Sequence, residues 1–583
     1  MRRFVTAIAA VAAAIAGAGV VVAKTDPGGA PEGKVPGLRL ETALDRGGSG
    51  HHGRKGPRFE VTLDGAAAER PLDGRVYVIV SRDDSSEPRE QIDVPDGTPF
   101  WGRDVNRLRP GRSVELSGGD DDVFGYPLRS LGDLPAGEYH VQAFMNVYET
   151  FRRADGSVVK LHMPCGDGHD VFGGTGNLYS AVETVRVRPG DRRPVRLALT
   201  EVIAPSDPVP PGGTCQQGNP ADSAHVKHVK IRSELLSRYW GRPMYIAANV
   251  LLPAGYDEQP DARYPVVYQH GHYPGPSPFG FREDGSNAFS QWWLGADAPR
   301  VIAVTFRHEN PYYDDSYAVN SANLGPYGDA ITSELMTELD DRFRTMGETW
   351  ARSLTGGSTG GWEALAQQIF YADLYAGTFA FCPDPVDFRY HQIVNMYDDA
   401  NAFYREFEWN RVPRPGARQP DGNVQYTMED ENHFELAIGD RGRSGGQWDI
   451  WEAVYGPQGP DGYPARAWDK RTGSIDHAVS EQWRAMDLRE RVERNWSALA
   501  PDLVGKLHIW TGDDDTYYLE NAVKLLEDSF AGLSPSPEAT IEYGYERPHC
   551  YNPFPDNQAL ITAMADFMRE HAPPGADLTS WRY

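Results

Sequence analysis

The pattern of hydrophobic and polar positions changes once along the chain and separates it into two parts. From Leu38 to about Val202, apolar and polar residues alternate between turn signals, as in RFEVTLDG and RVYVIVSR. This alternation is typical of half-buried β-strands, and many short strands favour an all-β sandwich. After about Ala224, continuous apolar runs such as YPVVYQHGH and VIAVTF alternate with helical patterns. Continuous runs indicate buried parallel strands, so this second part is predicted to be α/β with a mostly parallel sheet.

The predicted α/β part of the chain contains one strand–turn–helix unit with an unusual turn. ITSELMTELDDRF spaces Ile331, Leu335, Leu339 and Phe343 four apart, which predicts one apolar face of a helix. It is followed by ARSLTGGSTGGWEALAQQIF, an apolar run, a glycine-rich turn around Ser358 and a helical tail. Between about Asp384 and Leu503 the alternation of predicted strands and helices stops, which indicates an insertion.

These patterns predict the domain organisation and the compartment. Arg2 and Arg3 precede an Ala-rich apolar run, and Val21-Val22-Ala23 fits a signal-peptidase site, so we expect export rather than the alternative, a membrane anchor. The mature chain is then secreted or periplasmic. The predicted segments are a signal peptide (1–23), a disordered linker (24–36), a β-sandwich-like domain (37–203), a Pro-rich linker (204–223) and an α/β domain (224–583) with an insertion (384–503).

The net charge and the cysteines indicate which partners, compartment and cofactors to expect. The formal net charge of −26 disfavours nucleic acid and anionic membrane surfaces as partners. Four cysteines suit an oxidising compartment and allow three pairings, of which we favour Cys165–Cys215 and Cys382–Cys550. No CxxC or Cys/His spacing typical of a zinc site is present. We therefore expect no metal and no cofactor.

Ser358 is the candidate nucleophile, although its G-x-S-x-G pattern alone is weak evidence. Ser444 lies in a second match, but Gly439, Asp440 and Arg441 interrupt any strand before it. The turn at Ser358 has a strand before it and a helix after it, as a nucleophile elbow requires. A dinucleotide-binding turn is the alternative, and it is disfavoured because the further glycine that it needs is absent.

A nucleophilic serine needs a base and an acid, which follow it in the order Ser, Asp, His in α/β-hydrolases. Asp515 and His549 come after the predicted strands KLHIWTG and ATIEYGY, at the edge of the sheet where such sites lie. The pattern leaves other acids open: Asp513, Asp514 and Asp384. The backbone N–H groups of Thr359 and His272 are the candidate oxyanion hole, with the Tyr273 hydroxyl as an extra donor.

Three segments carry a resemblance to a known family. ELMTELDDRFRT, TGGSTGGWEAL and DLYAGTFAFCP resemble the esterase D, feruloyl esterase and enterochelin esterase group of α/β-hydrolases, where S-x-G-G-x-x-A-L recurs. The resemblance covers about Tyr264–Phe381 and Lys506–His549 and implies Ser358 as nucleophile, Asp515 as acid and His549 as base. The insertion after Pro383 departs from the group. Six tryptophans in it suit either a substrate-binding lid or a small core: Trp409, Trp448, Trp451, Trp468, Trp483 and Trp496.

Together these features predict a secreted serine carboxylic ester hydrolase. Its substrate would be a small-molecule or carbohydrate-linked ester. One alternative is a serine peptidase of the prolyl-oligopeptidase type, whose usual propeller does not fit in the N-terminal domain. The other is a non-catalytic binding protein on a hydrolase fold.

Overall fold

The computed structural model describes residues 56–168, 170–188, 193–272, 277–313 and 315–583. The predicted signal peptide and the linker 24–36 lie outside these residues, as does Tyr273. In the described ranges, no helix combines the length and the apolar character needed to span a bilayer.

The N-terminal region is built from β-strands, as the alternating pattern predicts. A small sheet has the order β10-β1-β4, and a larger one has the order β11-β8-β6-β2-β3-β5, with β7 and β9 also on β6. The strands are β1 (Arg58–Leu63), β2 (Leu72–Ser81), β3 (Phe100–Leu108), β4 (Ser113–Ser117), β5 (Phe124–Tyr126), β6 (Gly137–Arg152), β7 (Val158–Leu161), β8 (Leu178–Tyr179), β9 (Glu183–Val187), β10 (Val195–Leu199) and β11 (Glu201–Val202).

The second half contains one central sheet of eight strands. Its order is β12-β13-β15-β14-β18-β19-β24-β25. In this order, β12 pairs with β13 and β13 with β15 in antiparallel fashion, whereas each pairing from β15-β14 to β24-β25 is parallel. The strands are β12 (Val226–Ser233), β13 (Met244–Leu251), β14 (Val266–His270), β15 (Ile302–Arg307), β16 (Asn320–Ser321), β17 (Gly325–Pro326), β18 (Arg352–Gly357), β19 (Gly377–Phe381), β20 (Tyr404–Phe407), β21 (Asn410–Pro413), β22 (Pro415–Arg418), β23 (Val424–Thr427), β24 (Leu507–Gly512) and β25 (Thr540–Gly544).

Helices connect the strands of the central sheet and build much of the insertion. The helix predicted from Ile331 is a π-helical stretch, Ala330–Leu335, that continues into an α-helix ending at Arg342. The α-helices are α1 (Glu234–Trp240), α2 (Ala288–Trp293), α3 (Tyr327–Asp329), α4 (Met336–Arg342), α5 (Thr359–Phe370), α6 (Met428–Ile438), α7 (Gln447–Tyr455), α8 (His477–Ser480), α9 (Leu488–Leu503), α10 (Glu520–Phe530) and α11 (Asn557–Glu570). The predicted α/β class and the β-rich N-terminal region are confirmed.

The N-terminal sheet packs against the insertion through the second face of β2. Val76, Val78 and Val80 point into the core of the β-region, whereas Tyr77 and Ile79 lie in a cluster with Phe434, Ala437 and Ile438 of α6. The guanidinium of Arg75 is buried and donates from Nε to the Ala437 carbonyl at 3.1 Å. Both faces of β2 are therefore buried, and the insertion is held by the N-terminal region.

The tryptophans of the insertion form mostly core. Trp409 is 81 % exposed, whereas the other five are at most 4 % exposed. Their main role is to fill the interior of the insertion, as the small-core interpretation predicts.

The cysteines form two pairs at disulfide distance, in the pairing that we favoured. Cys165 and Cys215 have their Cα atoms 5.1 Å apart, and Cys382 and Cys550 have theirs 4.8 Å apart. The second pair ties the residue after β19 to the residue after His549.

Candidate active site

The turn at Ser358 is a sharp strand-to-helix junction. β18 ends at Gly357, α5 begins at Thr359, and Ser358 between them has φ 57° and ψ −123°. Positive φ is costly for a residue with a side chain, so the surroundings must impose it. A Cβ on Gly356 would lie 2.2 Å from the Gly360 carbonyl oxygen, and one on Gly360 would lie 2.3 Å from the His270 carbonyl oxygen. The glycines are needed because the backbone segments approach this closely.

The structure brings Ser358, His549 and Asp515 together in a hydrogen-bonded row. His549 Nε2 lies 3.0 Å from Ser358 Oγ, and His549 Nδ1 lies 2.8 Å from Asp515 Oδ2. Asp515 follows β24 and His549 follows β25, so both side chains come from the carboxyl ends of parallel strands. This is the geometry in which a base removes a proton from a serine while an acid fixes the base.

The other candidate acids lie in different environments. Asp513 Oδ1 accepts the Glu546 N–H at 2.6 Å, and Asp514 pairs with Arg418 at 2.9 Å. Asp384 is buried, and its Oδ2 accepts from Tyr317 at 2.7 Å. Of the four carboxylates, all in the described ranges, only Asp515 is hydrogen-bonded to His549.

The environment raises the pKa of His549. Burial alone would lower it, but the Asp515 carboxylate stabilises the imidazolium and outweighs burial. The pKa of Asp384 is also raised, in this case because burial disfavours its charged form. A base with a raised pKa next to a serine hydroxyl suits proton transfer near neutral pH.

The two residues proposed for the oxyanion hole touch through their side chains. His272 Nε2 lies 2.9 Å from Thr359 Oγ1, and His272 Nδ1 lies 3.3 Å from Asp315 Oδ2. Thr359 Oγ1 also contacts Asp384 Oδ2 and the Tyr317 hydroxyl, each at 3.0 Å. This network fixes Thr359, the residue directly after the serine.

The sequence did not indicate which residues contact Asp384. The Trp451 Nε1–H donates to Asp384 Oδ2 at 3.2 Å, and the Gln447 amide reaches both Asp384 and the Tyr317 hydroxyl. Both residues lie on α7 of the insertion: Gln447 directly precedes the segment WDIWEAVYG, and Trp451 lies within it. Trp451 is one of the six tryptophans for which the sequence left a lid and a small core open. Tyr317 has φ 56°, and no motif marks it.

Arg418, at the end of β22 in the insertion, contacts the loop that carries Asp515. Its Nε donates to the Asp515 carbonyl at 2.9 Å, and its Nη atoms reach Asp514 at 2.9 Å and Glu520 at 3.1 Å. A planar guanidinium holds several acceptors in fixed directions, so Arg418 restrains the acid loop. Sequence analysis contained no signal for it.

Ser444, in the second G-x-S-x-G match, has a different environment. Its N–H donates to Asp449 Oδ2 and its Oγ accepts the Gly446 N–H, each at 3.0 Å. α6 ends at Ile438 and α7 begins at Gln447, so Ser444 lies in a loop between two helices. No strand–turn–helix junction exists there.

In a comparison with known proteins, the middle of the chain matches one family. Residues 237–483 match the family model of the putative esterases. The predicted resemblance is confirmed, and so is the predicted enzyme class, a hydrolase. The match includes Ser358 and ends before Asp515 and His549. No curated protein matches the sequence.

Solved structures of esterases are similar over part of the chain. A ferulic acid esterase is 14 % identical, with 59 % of this chain and 98 % of that chain covered and a TM-score of 0.34. The fluorophosphonate-binding serine hydrolase F of Staphylococcus aureus is 13 % identical, with the same coverage and TM-score. An S-formylglutathione hydrolase from Agrobacterium tumefaciens is 12 % identical, covering 61 % of this chain and 95 % of its own, with a TM-score of 0.31.

Proposed function

We propose that this protein is a serine carboxylic ester hydrolase that works through a Ser358–His549–Asp515 triad and an acyl-enzyme. The observation that carries the proposal is the row of contacts Ser358 Oγ–His549 Nε2 and His549 Nδ1–Asp515 Oδ2, at 3.0 Å and 2.8 Å. The match of residues 237–483 to the esterase family supports the same chemistry.

In the first half-reaction, Ser358 Oγ attacks the ester carbonyl carbon while its proton moves to His549 Nε2. Negative charge develops on the carbonyl oxygen, and the backbone N–H groups of Thr359 and His272 are the proposed donors that stabilise it. When the tetrahedral intermediate collapses, the C–O bond to the alcohol breaks and His549 gives its proton to the leaving oxygen.

In the second half-reaction, water attacks the acyl-enzyme carbonyl and gives a proton to His549 Nε2. Collapse of this intermediate releases the carboxylic acid, and the proton returns to Ser358 Oγ. Asp515 stays ionised throughout, holds the tautomer with the proton on Nδ1, and stabilises the imidazolium.

The insertion is proposed as the cover of this site. Three of its side chains reach the surroundings of the triad: Arg418 on the acid loop, and Gln447 and Trp451 on Asp384. Because the N-terminal sheet packs on α6, the β-region would support the cover rather than bind substrate by itself. We also propose export, on the strength of the predicted signal peptide and the two cysteine pairs.

The test is turnover of two substrate classes by the purified protein. Short p-nitrophenyl esters and a peptide p-nitroanilide are assayed with the wild type and with Ser358→Ala. We expect ester cleavage that the variant loses. Dominant amide cleavage would instead support the peptidase, and no turnover by folded protein would support the non-catalytic binding protein.

A further inference from the structure

The loop that follows β15 reaches two distant parts of the molecule. The described part of this loop, within residues 308–317, contains Tyr313, which is inserted into the N-terminal β-region. It also contains Asp315 and Tyr317, which lie beside the proposed oxyanion hole. All three side chains are buried. Since Tyr313 is only two positions before Asp315, this short loop connects the β-region to the candidate active site.

The β-region holds Tyr313 in a socket formed by Asn146, His162, Gly174 and Asn177. The Tyr313 hydroxyl donates to Asn146 Oδ1 at 2.8 Å and accepts from Asn177 Nδ2 at 2.7 Å. The His162 ring stacks on the tyrosine ring with the centroids 4.2 Å apart, and a Cβ on Gly174 would lie 2.9 Å from the hydroxyl oxygen. Burial raises the pKa of Tyr313, so its hydroxyl keeps the proton that it donates. The socket therefore fixes both the ring and the hydroxyl.

The other end of the loop contacts both residues of the proposed oxyanion hole. Asp315 Oδ2 lies 3.3 Å from His272 Nδ1, and the Tyr317 hydroxyl lies 3.0 Å from Thr359 Oγ1. Burial alone would raise the pKa of Asp315, but the hydrogen bond from His272 outweighs burial and lowers it. Asp315 is therefore an ionised acceptor that orients the imidazole. Both proposed donor residues thus take contacts from this one loop.

The backbone between these contacts is braced and strained. Asn310 Oδ1 accepts the Tyr312 N–H at 2.7 Å, and Asn310 Nδ2 donates to the Asp315 carbonyl at 2.8 Å. Tyr313 has φ 70° and Tyr317 has φ 56°. Positive φ costs free energy in a residue with a side chain, so the surrounding contacts must impose it. A loop of this kind keeps its shape while its anchors hold, and Tyr313 is its anchor in the β-region.

We propose that Tyr313 is a positioning residue for ester cleavage, through which the N-terminal β-region fixes the proposed oxyanion hole. This role rests on the proposed ester hydrolase function and gives the β-region a part in it beyond packing on α6. When the anchor is lost, the loop relaxes and Asp315 and Tyr317 move. The backbone N–H groups of His272 and Thr359 are then held less well where negative charge develops, and the transition state is stabilised less.

The first experiment removes one hydroxyl from the whole protein. In Tyr313→Phe we expect kcat for a p-nitrophenyl ester to fall about 10-fold while KM stays within about twofold, because misplaced oxyanion donors weaken transition-state binding only. An aryl trifluoromethyl ketone, which forms a tetrahedral adduct with an activated serine, should bind more weakly by about the same factor as kcat falls.

Tyr77→Phe is the matched control. Tyr77 is also a fully buried tyrosine of the N-terminal interface, but its hydroxyl donates to the Ile438 carbonyl of the insertion and not to the loop after β15. We expect this variant to leave kcat and the inhibition constant of the ketone within about twofold of the wild type. A 10-fold fall of kcat in Tyr77→Phe as well would overturn the proposal, because any lost contact of the interface would then have the same effect.

A variant on the other side of the hydrogen bond tests the same link. Asn146→Leu removes the acceptor on β6, and among the described residues Asn146 Nδ2 has no partner to lose. Because both substitutions break one hydrogen bond, kcat of the double variant Tyr313→Phe/Asn146→Leu should equal that of the weaker single variant. Multiplied losses in a double variant that is folded by circular dichroism would contradict the proposal, because the two residues would then act separately.

Hydrogen exchange followed by mass spectrometry tests the loop without turnover. In Tyr313→Phe the peptide that covers residues 308–317 should exchange faster than in the wild type, and in Tyr77→Phe it should not. Unchanged exchange in Tyr313→Phe, or an unchanged kcat in an active enzyme, would overturn the proposal and leave the esterase untouched. Wild-type protein that is folded but cleaves no ester would instead overturn the proposed function, and the role of Tyr313 in it.

Discussion

The chain carries the same five-residue pattern twice, and the two serines have different surroundings. Ser358 has φ 57° between a strand and a helix and lies 3.0 Å from His549 Nε2. Ser444 lies in a helix–helix loop, where its Oγ accepts the Gly446 N–H and its own N–H donates to Asp449. In the first case the hydroxyl contacts a histidine, and in the second it accepts a hydrogen bond within its own loop. Because both serines share the glycine pattern, the strand and the helix around Ser358 are what distinguish the two positions.

The largest expected effect separates the two serines directly. We expect Ser358→Ala to lower kcat/KM for a p-nitrophenyl ester by at least about 10⁴-fold, because the nucleophile is removed. Ser444→Ala should change it less than about twofold, since that hydroxyl has a local structural role. Equal losses in both variants, with unchanged circular dichroism, would contradict the distinction.

The second prediction concerns Asp515, the proposed acid of the triad. Asp515→Asn should lower kcat by about 10³–10⁴-fold, because the amide supports the wrong tautomer of His549. The neighbouring Asp513→Asn is the matched control, since Asp513 accepts the Glu546 N–H and does not contact His549. If Asp513→Asn lost most of its kcat while Asp515→Asn stayed active, Asp513 and not Asp515 would be the acid that orients His549.

The third prediction tests whether the insertion, which contains both Ser444 and Arg418, positions the loop of Asp515. Arg418→Ala should lower kcat by about 10–100-fold, because a small displacement of the Asp515 loop misplaces the base. KM should change little if Arg418 positions the acid and does not touch substrate. Arg405→Ala, an exposed arginine of the same insertion, is the control. A change confined to KM would assign Arg418 to substrate binding instead.

The smallest expected effect is a shift in the pH at which kcat/KM begins to fall on the acid side of its pH profile, called the acid limb here. His549 must be neutral to accept the proton of Ser358, so kcat/KM falls as the pH drops through its pKa. Because Asp515 raises that pKa, the fall should begin at higher pH than for an ordinary histidine at about 6.5. The limb should be unchanged in Ser444→Ala. In the residual activity of Asp515→Asn it should move to lower pH, and an unmoved limb would remove Asp515 as the cause.

Sequence patterns predicted the parts of this protein that depend on local order. The continuous runs around Tyr264 and Val301 became β14 and β15, and the turn at Ser358 became the junction of β18 and α5. Asp515 and His549 could be chosen because the ends of parallel strands meet at one edge of a sheet.

Contacts between distant segments were outside the reach of the sequence. Arg418 and Trp451 reach the site only through the packing of the insertion, whose fold no periodicity describes. Tyr313 and Tyr317 acquire their partners from other segments of the chain. Asp513 and Asp514 stayed open as alternatives to Asp515, because side-chain directions within one loop leave no sequence pattern; in the structure, Asp515 is the one of the three that is hydrogen-bonded to His549.

The central claim is that one of two similar serines is an activated nucleophile, and covalent labelling tests it most directly. The purified mature protein is treated with a fluorophosphonate probe, digested and mapped by mass spectrometry. The account predicts label on the peptide that contains Ser358 and none on the peptide that contains Ser444. Label on Ser444, or no label on folded protein, would contradict it.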